Sequence, residues 1–424
     1  MQSDTKPGWQ RTFFLIWVGQ AFSLLGSELV QFALVWHLTK TTGSASVLAF
    51  ASFVALIPRV LISPFTGALV DRWDRRRTMI LADVGIAAAT MALAAIFFFG
   101  RIQIWHIYAI MFIRSLGSGF HWPALQASIS LLVPKDQLSR IAGLNQTLRG
   151  TLGILAPVFA ALLLDYLPMF GILSIDVLTA ILAISPLLVV VIPTPEKKSF
   201  DDSEKPMRII DDVKFGFRYL YNWKGLFYLA LAATLLNFLL NPGFTFTPLL
   251  VTQYFGKGAI ELSAIESAFS AGMILGGMIL SAWGGFKKNI ITTLLGILGL
   301  AFGTALIALT PSNMFFLAVI GMAISGLMQP MANGPLFAIM QAHVEPEIQG
   351  RVFSMLESMV SAMMPISMLI AAPVAEWIGI RGWLLFGAVG CLIIGAGGFF
   401  VPALMNIEEE SRANKAGLLE KENS

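Results

Sequence analysis

Twelve separate apolar stretches, each long enough to cross a bilayer, constrain this chain more than any other feature. They cover residues 12–38, 46–70, 78–99, 104–132, 141–165, 169–192, 225–252, 261–284, 289–310, 313–341, 351–378 and 382–405. A hydrocarbon core needs roughly 20 mainly apolar residues per spanning helix. Backbone inside it must satisfy its own hydrogen bonds. The sequence therefore predicts twelve transmembrane helices. No run of ten-residue alternating segments is present, which excludes a transmembrane β-barrel. Of the 424 residues 56% are apolar and 12% charged, against about 25% charged in soluble domains; a soluble globular or disordered chain is excluded as well. Cys391 is the single cysteine, so no intrachain disulfide, C-x-x-C pair or cysteine-cluster metal site is available. The first run is too long for a signal-peptide core and no small-residue cleavage site follows it; it reads as a retained span.

Charge placement predicts orientation. With the N-terminus in the cytoplasm, 21 of the 28 Lys and Arg fall in inner segments, and the outer loops hold four: Lys40, Arg101, Lys257 and Arg381. This asymmetry follows the positive-inside rule and puts both termini in the cytoplasm. The longest polar stretch, 193–224, separates six spans from six. Within it Ile209, Ile210, Val213, Phe217, Leu220 and Tyr221 recur at helical spacing. That segment reads either as an amphipathic helix on the inner membrane surface or as a solvated linker helix. The expected organisation is an N-terminal half 1–192, the cytoplasmic linker 193–224, a C-terminal half 225–405 and a cytoplasmic tail 406–424.

The two halves repeat each other. Gly67-Ala-Leu-Val-Asp71-Arg72-Trp73 aligns with Gly277-Met-Ile-Leu-Ser281-Ala282-Trp283, Val133 with Val344, Arg140 with Arg351, Pro123 with Pro335 and Glu28 with Asn241, all at offsets of 210 to 213. Each match is short; their agreement on one offset carries the inference. Parallel repeats imply a pseudo-two-fold axis along the membrane normal and a site between the halves at midplane.

These stretches resemble the major facilitator superfamily. The loop motif between spans two and three reads Gly67-Ala-Leu-Val-Asp71-Arg72-Trp-Asp74-Arg75-Arg76-Arg77, with Asp74 where the usual pattern has Gly. The second-half copy has lost its acid and arginine. Span four carries Arg114-Ser-Leu-Gly117-Ser-Gly119. Span five carries a partial antiporter motif, Gly153-Ile-Leu-Ala156-Pro157, with Ala156 in place of the usual Gly. Trp17-Val-Gly-Gln20-Ala, Thr42-Gly-Ser-Ala-Ser-Val, Phe112-Ile-Arg114-Ser and Gly350-Arg351-Val-Phe-Ser354 are similar to the bacterial macrolide-efflux pumps of the drug:proton antiporter group. The resemblance implies an all-α membrane protein with twelve transmembrane helices in two parallel six-helix repeats. It implies a drug-resistance transporter of the bacterial cytoplasmic membrane that exports a bulky hydrophobic, macrolide-like compound in exchange for protons by alternating access. An exporter of an endogenous metabolite such as a siderophore, or a lipid transporter, stays open on the same fold. The expected partners are a small hydrophobic substrate, protons and the bilayer, with no nucleic acid, no cofactor beyond the proton gradient, and function as a monomer. No H-E-x-x-H, G-x-S-x-G or G-x-x-x-x-G-K-[ST] pattern occurs and the four histidines are scattered, so an enzyme and a metal site are not expected.

Ionisable groups within spans are costly, about 2.5–3.5 kcal/mol each on insertion scales, and persist where they face a cavity or a partner. In span one Gln20, Ser23, Ser27 and Gln31 share a narrow face and Glu28 flanks it. Glu28 reads either as a proton-coupling acid or as the permanent partner of Arg114 or Arg149. By resemblance Arg114 supports proton transfer; otherwise it is a fixed anchor. Arg149, one turn from Asn145, reads as an inner gate or an anion-facing group, and Arg59 and Asp176 join the cavity candidates. His121 reads mainly as a packing residue, and Asp83 as interfacial. In span seven Asn237 and Asn241, before Pro242, bind substrate or act as polar glue between spans. Nine of nineteen methionines lie between Met322 and Met368, and flexible thioethers suit a surface that repacks around varied ligands. Met364 and Met368 share a face with Glu357 as the expected cavity lining. At the inner membrane edge Gly67, Asp71, Arg72, Arg75 and Arg76 read as a cytoplasmic ion-pair latch, or as positive-inside charge alone. Gly272-x-x-x-Gly276 and Gly299-x-x-x-Gly303 predict close helix contacts.

Overall fold

The computed structural model describes residues 9–134, 137–190, 218–344 and 346–408; within these, Gly67, Asp71 and Arg72 are described as backbone only. The first sequence half forms α1 (Trp9–Thr42), α2 (Ala45–Arg72), α3 (Arg75–Phe98), α4 (Ile104–Leu132), α5 (Leu138–Tyr166) and α6 (Met169–Val189). The second begins with α7 (Lys224–Thr245), continued by a short helical turn at Thr247–Leu249 and a π-helical turn at Leu250–Tyr254. Then come α8 (Ala259–Trp283), α9 (Asn289–Leu309) and α10 (Phe315–His343). The helical stretch Pro346–Gly398 is divided at Gly379, whose φ of 78° no helix accommodates, into α11 (346–378) and α12 (380–398). The described residues thus hold twelve long helices and no strand. Ten segments are long and apolar enough to span a membrane, one of them the joined Met355–Gly398. Helix α4, whose interior carries Arg114 and His121, is not among the ten.

The chain forms two compact units, Met1–Ser199 with Val251–Ser267, and Phe200–Leu250 with Ala268–Ser424. Each is built alike. In the first, α1 packs on α6, α2 on α4, and α3 on α4 and α6. In the second, α7 meets α12 at Gly387 and Gly390, α8 meets α10 at Gly272 and Gly276, and α9 meets α10 and, at Gly395 and Gly398, α12. Both ends of α10 lie 211 residues beyond the ends of α4, the offset seen in the sequence. The expected small-residue contacts are present: a Cβ on Gly276 would overlap the Leu327 carbonyl, and one on Gly303 would meet the Gly321 carbonyl at 2.7 Å.

The helices are apolar nearly all round because each faces protein on one side and lipid on the other. Leu81, Leu178 and Ile393 stand exposed on the outer face of their bundles, while Leu93, Leu173 and Leu34 are sealed inside. Among the loop ends, Asp74 caps α3 by accepting from the Arg77 amide at 3.0 Å. The expected linker helix over 193–224 and the tail 406–424 lie largely outside the described residues.

Candidate functional site

The first unit is organised around one buried ion pair. Arg114 of α4 is 9% exposed and Asp176 of α6 is 2% exposed, and Arg114 Nη1 donates to Asp176 Oδ2. Arg114 also donates to Thr90 Oγ1 of α3. The Thr90 hydroxyl lies 3.0 Å from Asp176 Oδ2 and 2.9 Å from the Ile86 carbonyl, and shares its single proton between them. On the other side Ser27 of α1 donates to Asp176 Oδ1 at 3.2 Å. Four helices therefore converge on one carboxylate. Gly26 permits it, since a Cβ there would strike the Thr179 hydroxyl and lie 3.1 Å from Asp176 Cα. An ion pair this dry holds only when its remaining polar atoms are also engaged, and here Thr90 and Ser27 supply those partners.

Because Asp176 answers Arg114, Glu28 does not. Glu28 sits near the middle of α1, feels the charges of Arg114 and Arg149, and makes no ion pair among the described residues. Its side chain is exposed on the surface of its bundle, in contrast to sealed Asp176. The alternative reading, a permanent pairing of Glu28 with one of these arginines, is not seen among the described residues. Arg149 of α5 instead stacks on the Trp122 ring of α4, 4.0 Å from its centroid, and interacts with the charges of Arg59 and Glu28. Next to it Trp17 Nε1 donates to Asn145 Oδ1 at 2.8 Å. These residues border a narrow cleft lined by Phe13, Trp17, Leu24, Trp122, Leu148 and Arg149, an aromatic wall with one cation. Gln31 and Arg59 are exposed.

Sequence reasoning passed over Glu266. It lies near the start of the α8 run, where a charge reads as interfacial, yet the structure places it in the first compact unit, close enough to Glu28 for their charges to interact. Treating every acid inside a spanning run as a candidate would have found it. Asp83 is also misread from sequence: it is 4% exposed, not interfacial. Gln20 Nε2 donates to its Oδ2 at 3.3 Å, and His121 Nε2 lies 3.3 Å from its Oδ1 without the direction of a hydrogen bond.

In the second unit, α7, α9 and α10 border a cleft lined by Asn237, Asn241, Gln329 and Asn333 among Leu236, Leu240 and Phe244. Asn237 Nδ2 donates to the Ala233 carbonyl at 2.9 Å, and Asn241 Nδ2 to the carbonyl of Asn237 at 2.9 Å and to its Oδ1 at 3.0 Å. The pair is tied within its own helix rather than gluing two spans. The Asn241 side-chain oxygen stays open as an acceptor among the described residues. Gln329 and Asn333, not singled out from sequence, flank Pro330 and extend the same polar wall. Glu357 is exposed, Met364 half-buried and Met368 buried, so the three do not form one open surface.

At the start of α3, Arg75 Nη1 donates to the Ala127 carbonyl at 2.7 Å, and Arg76 donates to the carbonyls of Leu187 and Leu188. Arg76 thus holds helix C-terminal carbonyls, which carry the negative dipole end, while Arg75 bonds a carbonyl five residues inside the end of α4. The side chains of Asp71 and Arg72 lie outside the described residues.

Two six-helix bundles of matching construction, with an ion pair buried among spanning helices, define a multi-pass membrane transporter. The sequence matches the Major Facilitator Superfamily over residues 16–364, and the chain belongs to that superfamily, a family of transporters rather than enzymes. It is 37% identical over 388 residues to macrolide efflux protein A of Streptococcus pyogenes, covering 91% of this chain and 94% of that protein. It is 37% identical over 328 residues to macrolide efflux protein A of Enterococcus faecalis, covering 77% of this chain and all of that protein. Its fold is similar to that of a crystallised POT family transporter in complex with a thioalcohol-conjugated peptide (TM-score 0.71, 12% identity, 91% of this chain and 95% of that one). It is likewise similar to a bacterial homologue of the iron transporter ferroportin (TM-score 0.67, 16% identity, 94% and 99% covered).

Proposed function

We propose that this protein exports macrolide-like hydrophobic compounds from the bacterial cytoplasm in exchange for protons, by alternating access, with both termini cytoplasmic and as a monomer. The observation that carries the reading is Glu28: a midspan acid exposed on its bundle's surface and, among the described residues, without an ion pair because Asp176 neutralises Arg114. An acid in that position takes and gives up a proton without dismantling a structural tie. Substrate recognition is assigned to the two clefts. Apolar walls carrying a few polar groups suit hydrophobic ligands. Aromatic Trp17 and Trp122 supply stacking area in one. Side-chain amides of Asn241, Gln329 and Asn333 supply acceptors for a hydroxylated ligand in the other. The identity with macrolide efflux proteins supports the substrate class, and no cofactor is required beyond the proton gradient.

The test is transport in everted membrane vesicles with an imposed pH gradient against a panel of macrolides and other apolar compounds. The expected result is gradient-driven macrolide accumulation by the native protein. Glu28→Gln abolishes it while equilibrium macrolide binding persists. Unchanged transport by that variant removes Glu28 from the mechanism, and absence of transport by the native protein removes the reading.

A further inference from the structure

A threonine inside a spanning helix commonly closes its hydroxyl onto the carbonyl one turn back. Buried Thr39 donates to the Val35 carbonyl at 2.8 Å, and buried Thr234 to the Ala230 carbonyl at 2.7 Å. Thr293 of α9 does not. It is 2% exposed, and its Oγ1 is buried without a hydrogen bond among the described residues. A buried hydroxyl in that state weakens a fold rather than supporting it. Thr293 lines the cleft of the second unit, alongside the amide side chains of Asn237, Asn241, Gln329 and Asn333.

The polar groups of this cleft are all of one kind. Four amides and one hydroxyl stand among Leu, Ala, Ile and Phe, and none of the described lining residues carries a charge. An ion entering here sheds its hydration and meets no counter-charge. A hydroxyl meets suitable partners. Asn237 Nδ2 is committed to the Ala233 carbonyl, and Asn241 Nδ2 to Asn237, so Asn241 presents its oxygen as an acceptor. The Thr293 hydroxyl both donates and accepts. A group with several hydroxyls gives a proton to the Asn241 oxygen and takes one from Thr293. The cleft of the first unit is different in kind, with Arg149 on its wall.

We propose that Thr293 is a specificity-determining residue: the cleft of the second unit takes an uncharged, hydroxyl-bearing part of the ligand, such as a glycosyl group, and rejects ammonium and anionic groups. This rests on the export reading and adds to it the ligand chemistry that one cleft selects. The orphan hydroxyl gives the proposal its signature. Thr293 gains its missing partner when the ligand arrives. Replacing the hydroxyl by a methyl group of the same shape therefore removes binding without removing any bond that holds the helices together. A hydroxyl serving the fold loses stability in that exchange; one serving a ligand loses affinity alone.

The test uses the full-length protein in nanodiscs and water-soluble probes that share a phenyl ring: phenyl β-glucoside, phenyltrimethylammonium and benzenesulfonate. Saturation-transfer NMR titrations read binding, and thermal unfolding is followed on the same samples. Phenyl β-glucoside binds the native protein and neither ion displaces it. In Thr293→Val its affinity falls about tenfold, the contribution of one hydrogen bond, while the melting temperature stays at or above the native value. Thr293→Ser restores the affinity. No binding of the glucoside by the native protein, its displacement by either ion, or an unchanged affinity in Thr293→Val overturns the proposal. A Thr293→Val melting temperature several degrees below native assigns the hydroxyl to the fold and overturns it as well. Macrolide transport in everted vesicles is measured separately. Transport by the native protein with a Thr293-independent glucoside affinity sinks this inference and leaves the export reading standing. No macrolide transport, with glucoside binding that depends on Thr293, sinks the reading and leaves the site.

Discussion

Removing Asp176 tests how the first unit is held together. In Asp176→Ala, Arg114 keeps its contact with Thr90 and lies 3.5 Å from the Ser27 carbonyl, but loses its only ion pair at 9% exposure. Breaking one side of a buried pair costs about 3–5 kcal/mol. The surviving Thr90 contact and the nearby charge of Glu28 place this site toward the lower end. For a unit of this size each kcal/mol lowers Tm by about 2–4 °C, so a fall of about 10 °C is expected in detergent. Asp176→Asn keeps the shape and the Ser27 contact while losing the charge, and falls between. The decisive variant is Arg114→Met with Asp176→Leu. Replacing both charges by apolar groups removes the desolvation penalty along with the attraction, so stability returns to within about 1–2 kcal/mol of the native protein. Transport does not return, because the arginine beside Glu28 is gone. Thermal unfolding followed by tryptophan fluorescence reads the first quantity and vesicle efflux the second. An Asp176→Ala midpoint within about 1 °C of native, or a double variant as unstable as the two single losses added, would refute the claim that Asp176 is Arg114's structural counter-charge.

Three further outcomes are expected. Glu28→Gln loses gradient-driven efflux while retaining macrolide binding, measured by vesicle transport and equilibrium binding. Asp71→Asn at the end of α2 lowers the transport rate while membrane insertion, followed by protease accessibility of the loops, stays native; a native rate would remove the latch. Gly276→Leu forces α8 away from the Leu327 carbonyl of α10 and destabilises the second unit by about 1–3 kcal/mol, the usual range for overpacking. A native melting curve in that variant would show the contact to be slack.

The spans, the repeat and the family were legible because hydrophobicity, turn chemistry and periodicity act locally. The 211-residue offset survives into helix boundaries because both halves fold by the same packing scheme. Partner choice was not legible. Sequence marked Glu28, Arg114, Arg149 and Asp176 alike as ionisable groups within spans, but which acid answers Arg114 depends on how α1, α4 and α6 rotate against each other. The small Gly26 settles that by letting α1 press onto Asp176. Asp83 looked interfacial because it stands near the start of a run, yet α3 turns it inward to Gln20 and His121. Asn237 and Asn241 looked like interhelical glue because polar residues in spans often are; their bonds close within α7, ahead of Pro242. Glu266 was hidden by the same end-of-run position that disguised Asp83.

The division of roles among the buried charges has a physical reason. An arginine inside a span stays ionised at any attainable pH and needs a fixed counter-charge; an acid meant to cycle a proton must not be that counter-charge. Were Glu28 the partner of Arg114, each protonation would leave a buried guanidinium bare, at a cost of several kcal/mol per transport cycle. Placing Asp176 on Arg114, with Thr90 and Ser27 filling its remaining lone pairs, removes that penalty from the cycle. Glu28 then feels Arg114 and Arg149 only as neighbours, and in the proposed exchange its protonation leaves the integrity of the bundle untouched. The same logic assigns Arg149 its aromatic partner: the Trp122 face attracts a cation at any protonation state of Glu28, so the aromatic wall of the first cleft keeps its geometry while the proton comes and goes.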